Sequence, residues 1–204
     1  MRVRTDEKRQ EIMSAAAAVF GETGYERSSM AAIAQRANAS KQTLYSYFES
    51  KEDMFSAVML EAMETQAIAL FALLDVEVAD MRTTLEVFGA AYIDFVTSAD
   101  AVSLTRVAVT IGGQGGLGPR LYAHGPKRGW EALAANLERW GREGKLHIED
   151  SRIAALHLKG LLEAGLVEPQ LFGAEDDIPR SAAANHAVRV FLEGYAVRKA
   201  SPAA

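Results

Sequence analysis

"SKQTLYSYFESKEDMF", residues 40–55, sets Ser, Lys, Gln and Thr beside three aromatics in nine positions and then turns charged. Ser40 is a good helix cap. The run from Lys41 to Tyr47 that follows it is too short to be a stable helix on its own in water. Leu44 and Phe48 fall four apart, the spacing that lets one face of a short helix dock against its neighbours. Lys41, Gln42, Thr43, Tyr45, Ser46 and Tyr47 are left facing outward, and every one of them can hydrogen-bond. The two tyrosines also offer a flat apolar body against a sugar or a thymine methyl group.

Upstream, Ile12, Ala15, Ala16, Val19 and Phe20 form one helical stripe, with Thr5 as its expected cap, Asp6 and Glu7 at its positive end, and Gly24 as its stop. A second short helix follows Ser28 or Ser29 and turns Met30, Ile33, Ala34 and Ala37 inward; Asn38 and Ala39 break it. Downstream, Ser50 and Asp53 form an S-x-x-D capping box that starts a helix from Lys51 to about Leu74. Further helices are expected near 81–98, 101–111, 118–141, 152–166 and 180–198. The breaks fall at "GGQGGLGP" (112–119), "GREGKLHIED" (141–150) and "VEPQLFGAEDDIP" (167–179). β-Branched residues never alternate over a long window, so the fold class is all-α. Three short helices, the last two joined by a tight turn, make a helix-turn-helix, in which the second helix of the pair enters the major groove.

Charge bounds the function. The 204 residues carry a net charge of −5, so any surface for nucleic acid must be local. Residues 1–51 hold eight Lys/Arg and six Asp/Glu, or +2, and residues 52–204 hold fourteen and twenty-one, or −7. That asymmetry suits an N-terminal reader of nucleic acid joined to a body that does not touch it. Charge alone leaves a solvated polar helix on an ordinary helical protein as an equal alternative. The chain has no cysteine, which excludes disulfides and thiolate metal sites. No apolar stretch is expected to serve as a signal or a membrane span, so the expected setting is cytoplasmic, with no membrane partner.

Residues 15–55, "AAAAVFGETGYERSSMAAIAQRANASKQTLYSYFESKEDMF", resemble the DNA-binding domain of TetR-type transcriptional regulators. The match runs through Phe20, Gly24, Tyr25, Ser29, Ile33, Ala34, Ala37, Ser40, Lys41, Thr43, Leu44, Tyr45, Phe48, Lys51 and Glu52. Asn38 stands where that family usually has Gly, Gln42 where it has Gly or Ala, and Tyr47 where it has His. The resemblance implies a double-stranded DNA operator as partner. Ser28 or Ser29, Lys41, Tyr45, Tyr47 and Lys51 would contact phosphate, and Gln42, Thr43 and Ser46 would lie nearest the base edges. Arg2 and Arg4 would reach the flanking minor groove.

The same resemblance implies a DNA-binding domain over 1–51 and a helical ligand-binding and dimerisation domain over 52–204. "LTRVAVTIGGQGGLGPRLYAHGPKRGWEALAANLERWGREGKL" (104–146) and "FLEGYAV" (191–197) also resemble one C-terminal subfamily of these regulators. The implied protein is a homodimeric, ligand-responsive repressor; an activator or ligand-independent DNA binder, and a helical small-molecule protein without DNA recognition, are the alternatives. Met59, Met63, Phe88, Tyr92, Phe95 and Trp130 would line a pocket for a small hydrophobic or weakly acidic effector, or simply fill the core. Arg106, flanked by Leu104, Val107 and Val109, would either pair with Asp94 or hold a ligand anion. Leu156, Leu161, Leu162, Ala183, Ala187, Val190 and Phe191 make stripes wider than one subunit's core needs, which points to a dimer interface.

No enzyme, metal or cofactor site is expected. "GGQGGLG" has no strand before it and no Lys-Ser/Thr after it, so it reads as a flexible link and candidate pocket gate. His124, His147, His157 and His186 lack metal-ligand spacing, and neither G-x-S-x-G nor H-E-x-x-H occurs.

Overall fold

The structure is a computed structural model that describes residues 2–75, 80–111, 117–175 and 177–197, and every regular element among them is a helix. They are α1 (Arg2–Arg27), α2 (Met30–Arg36), α3 (Lys41–Tyr47), α4 (Lys51–Ala72) with a 3-10 turn at Leu73–Asp75, α5 (Met81–Val96), α6 (Ala99–Ile111), α7 (Leu117–His124), α8 (Pro126–Arg142), α9 (Ser151–Glu163), α10 (Val167–Phe172) and α11 (Arg180–Gly194). The chain divides into two compact units, residues 1–64 with 106–121, and residues 65–105 with 122–204.

The first unit is built on one apolar cluster. Ile12, Ala16, Val19 and Phe20 from α1 meet Met30, Ile33 and Ala34 from α2, Leu44 from α3, and Phe48. Met54, Phe55 and Val58 from α4 complete it, so this core extends past residue 51, where the domain edge was expected. Phe20 sits edge-on to Phe55 at 5.1 Å between ring centroids, a favoured aromatic geometry. α1 runs back to Arg2, which places Thr5 inside the helix rather than at its cap. Gly24 breaks α1 with φ +75° and ψ 162°, a region that only glycine occupies without strain. Asn38 turns the chain between α2 and α3 at φ 46°; its short polar side chain tolerates the left-handed region.

The second unit packs α5 against α11 and α9, and α9 against α8 and α11. Leu85, Phe88 and Ile93 of α5, Leu133 and Leu137 of α8, Leu158 and Leu162 of α9, and Val188 and Phe191 of α11 form its centre. Gly89 makes this packing possible, because a Cβ there would stand 2.9 Å from Leu162 Cδ2.

The expected helix 118–141 is two helices. Pro126 starts α8 after Gly125; its ring removes the N–H that a continuous helix needs, and the first helical position is where that loss is harmless. The expected break at 167–179 holds α10, which keeps Pro169 in its first turn and stops at Gly173, φ 73°. Of the glycine-rich link, residues 112–116 lie outside the described residues.

α4 corrects one expectation. With its 3-10 extension it is, among the described residues, the one single helix long and apolar enough to cross a membrane. Its two ends are nevertheless spent on globular cores: Met54, Phe55 and Val58 are buried in the first, and Leu70 and Leu74 in the second.

Candidate nucleic-acid interface

α3 is fixed from beneath and from its first turn. Ser40 Oγ accepts from the Thr43 N–H at 3.0 Å and lies 2.9 Å from Thr43 Oγ1. Leu44 and Phe48 are buried at 0% and 2% exposure. Lys41, Gln42, Tyr45 and Ser46 are exposed, and Thr43 and Tyr47 are half-buried. The Tyr47 ring leans on the apolar cluster. Ser46 Oγ donates to the Thr43 carbonyl at 2.6 Å, leaving its lone pairs to accept from outside.

The two serine candidates separate. Ser28 is buried and its hydroxyl donates to the Tyr25 carbonyl at 2.6 Å. Ser29 is exposed and caps α2, accepting from the Ala32 N–H at 3.2 Å. Lys51 turns inward: Nζ donates to the carbonyls of Tyr25 at 2.9 Å and Ser28 at 3.3 Å, and stands 4.2 Å over the Tyr25 ring. Next to it, the Tyr25 hydroxyl donates to Glu52 Oε1 at 2.7 Å. Burial, followed by the bond to Glu52, pushes the Tyr25 phenol well above its ordinary range, and the Tyr25 bond is the chief cause holding the Glu52 carboxyl below its own. Sequence reading missed this latch between the start of α4 and the last turn of α1, although both residues belong to the motif. The S-x-x-D box forms: Asp53 N–H donates to Ser50 Oγ at 3.1 Å. Its return arm lands one residue early, with Glu49 N–H donating to Asp53 Oδ2 at 3.2 Å.

The proposed pocket residues fall in different units. Phe88, Tyr92 and Trp130 are buried in the second core, with Phe95 half-buried against it. Their rings run in sequence: Phe71 to Phe88 at 5.6 Å, Phe88 to Tyr92 at 5.9 Å, Tyr92 to Trp130 at 5.1 Å. The Tyr92 hydroxyl donates to Glu163, which also accepts from Lys159. Burial first, and the Glu163 charge second, raise the Tyr92 phenol far above its usual value. Met59 and Met63 are half-buried in the first unit. Arg106 is also in the first unit and is exposed, and the carboxylate expected beside it, Asp94, pairs with Arg180 at 3.3 Å. Leu104, Val107 and Val109 flank Arg106 in sequence, but at about 100° per residue they do not surround it on the helix, and Val109 is itself 74% exposed.

The expected interface stripes divide in the same way. Leu162, Ala187 and Phe191 are buried in the chain's own core, whereas Leu156 and Val190 are 49% and 46% exposed and Leu161 and Ala183 are half-buried. Two shallow apolar grooves of about 400 and 420 Å³ cross this face of α9 and α11, sharing Leu161 and Val190. They add His157, Gly160, Tyr195, Ile178 and His186 to the surface. Of these, His157, Gly160 and His186 carry no hydrophobic signal in sequence, and Ile178 and Tyr195 lie outside the helical stripes. Tyr195 reaches His157 Nδ1 at 2.7 Å across the first groove.

Residues 12–58 match the family described as bacterial regulatory proteins of the tetR family, and residues 83–197 match the AefR-like transcriptional repressor C-terminal domain. The second match takes in more than half the chain. The chain belongs to the TetR family of transcriptional regulators. It is 28% identical over 171 residues to the HTH-type transcriptional regulator UidR of Escherichia coli K12, covering 84% of this chain and 74% of that one. It is 33% identical over 95 residues to the HTH-type transcriptional activator FasR of Mycolicibacterium smegmatis, a match that spans 47% of this chain and only 43% of FasR. A crystal structure of a TetR-family regulator from Mesorhizobium loti superposes with a TM-score of 0.80 at 26% identity, over 95% of this chain and 99% of that one. This TetR-family protein is thus a DNA-binding transcriptional regulator, of a family whose members usually act as dimers with small-molecule effectors.

Proposed function

We propose that the protein is a homodimeric repressor that grips a near-palindromic operator through α3 and leaves it when a small hydrophobic molecule enters the C-terminal helices. The observation that carries this reading is the division of α3, with Leu44 and Phe48 sealed into the core and Lys41, Gln42, Tyr45 and Ser46 in solvent. Ser29, Lys41, Tyr45 and Tyr47 would take phosphate, and Gln42, Thr43 and Ser46 would meet base edges. Ser28 and Lys51 would act by holding the α1–α2 turn and the start of α4 together. The DNA-reading part would be residues 1–51, with regulation and dimerisation in 52–204.

A second copy of α9 and α11 would cover the paired grooves, burying Leu156, Leu161, Ala183 and Val190. Two reading heads related by a two-fold axis then require half-sites about one helical turn apart, or a multiple. For the effector, the Phe88–Tyr92–Trp130 cluster supplies an apolar, aromatic environment, with Phe95 as a further candidate. With Arg106 in solvent, the hydrophobic part of the effector class is the part carried forward, and an acid-selecting cation is not.

The test is to recover DNA from a random pool with the purified protein and to repeat the binding on the recovered sequence. Two related half-sites are expected; a pool with no enriched sequence overturns the reading. FasR is an activator, while the matched C-terminal family is described as a repressor. A promoter reporter carrying the recovered site decides between them, with signal falling when the protein is supplied if it represses.

A further inference from the structure

Two features that each weaken a fold meet at adjacent residues of α8. Trp130 is 7% exposed, yet its indole Nε1 has no hydrogen-bond partner among the described residues. A buried donor left unpaired loses the hydrogen bond it had to water and gains nothing in return. The residue before it is Gly129, a helix-interior position where glycine is less favourable than alanine. Phe71 explains the glycine: its ring tip lies 2.6 Å from where a Gly129 Cβ would be, in a niche that only glycine leaves open. Phe71 is also half-buried, unlike Phe88 and Tyr92, and is the ring of this cluster best placed to swing aside.

We infer that Trp130 Nε1 is the hydrogen-bond donor of an effector subsite, opened when Phe71 leaves the Gly129 niche, and that it takes a planar, uncharged molecule carrying one acceptor such as a ketone or lactone carbonyl. The charge beside the Trp130 ring sets the class. Lys159 Nζ stands 5.5 Å over the Trp130 ring, but Glu163 already pairs with it and also accepts from Tyr92. The group is neutral as a whole, so an entering carboxylate would meet no uncompensated cation and would lie near Glu163, and burying it would be costly. A neutral carbonyl requires only the donor that is already there. The rings of Phe88, Tyr92 and Trp130 would hold its flat body.

This inference rests on the ligand-responsive reading above, and the experiment separates the two. The indole N–H resonances of the 15N-labelled protein are followed during titration with 2-acetylnaphthalene, coumarin, 2-isopropylnaphthalene and 2-naphthoate. Trp130 is assigned as the signal missing from W130F or, if that variant does not fold, as the one that remains in W140F. The ketone and the lactone should move the Trp130 signal downfield, the hydrocarbon should not, and the carboxylate should bind weakest. W130F should bind the ketone about tenfold more weakly, with little change for the hydrocarbon. An indole that ignores the whole panel, answers ketone and hydrocarbon alike, or answers the carboxylate most strongly overturns the subsite. If the indole responds but the ketone leaves the operator complex intact in a band shift, the subsite stands and the ligand-release reading fails.

Discussion

Tyr25 and Glu52 are joined by a 2.7 Å hydrogen bond, and Lys51 stands 4.2 Å above the same tyrosine ring. The start of α4 is thereby latched to the last turn of α1, beyond its break at Gly24. The latch makes stability depend on pH in a definite direction. Glu52 has its carboxyl held below the ordinary value of 4.5, chiefly by the Tyr25 hydroxyl. A carboxyl depressed in the folded state contributes stability that is fully present above its unfolded value and is lost as pH falls through the folded one. Thermal melts of the parent should therefore drop between neutral pH and about pH 3, and Tyr25→Phe should flatten part of that drop while lowering Tm at neutral pH. Identical pH profiles for the two proteins would rule out the latch as a stabilising contact.

At the DNA surface, Lys41 and Gln42 are neighbours with different expected jobs. Lys41→Ala should weaken all operators alike and reduce the slope of log affinity against log salt by about one. Gln42→Ala should change which base is preferred at one position of each half-site, at about 1–3 kcal/mol if a good contact is lost. Repeating the pool selection with each variant checks both, and an unchanged preference with Gln42→Ala removes it from base reading.

Leu156 and Val190, 49% and 46% exposed in the single chain, should be covered in the dimer. Placing a carboxylate there, as Val190→Glu, would bury an unpaired charge in an apolar interface. Light scattering at micromolar concentration should show the parent as a dimer and the variant as a monomer with retained helical content. A variant that remains a dimer places the interface elsewhere.

Gly89 tests how closely α5 rests on its neighbours. A methyl at this position would meet Leu162 Cδ2 at 2.9 Å, with Ala184 and Val188 at 3.6 and 3.7 Å. Overpacking of this kind costs about 1–3 kcal/mol, so Gly89→Ala should lower Tm by several degrees in a melt. Asn38 offers a contrasting case: at φ 46° it should tolerate Gly but lose about 1–2 kcal/mol on change to Ala.

The parts legible in the sequence were those governed by neighbours along the chain. Ser40, Leu44 and Phe48 declare a capped, one-faced helix by spacing alone, and Asn38 declares its turn. Lys51 was not legible in this way, because the carbonyls that hold it belong to Tyr25 and Ser28, which are distant in sequence and near only once the turn after α1 has closed. Arg106 shows the opposite limit: apolar neighbours in sequence suggested a sheltered charge, and the fold leaves the side chain exposed. The His-Gly-Pro break at 124–126 was readable in principle, since proline cannot continue a helix, and the apolar periodicity on either side concealed it. The orphaned indole of Trp130 has no sequence signature at all, because a missing partner exists only in three dimensions.

The capping and anchoring of α3 have an evolutionary consequence. Ser40, Leu44 and Phe48 hold the helix in place, and none of them belongs to the solvent-facing set of Lys41, Gln42, Tyr45 and Ser46. The positions proposed to meet DNA can therefore mutate without passing through a misfolded intermediate. A lineage could retarget this regulator to a new promoter by single steps, and a library randomised at those four codons should yield mostly folded proteins with divergent tastes in DNA.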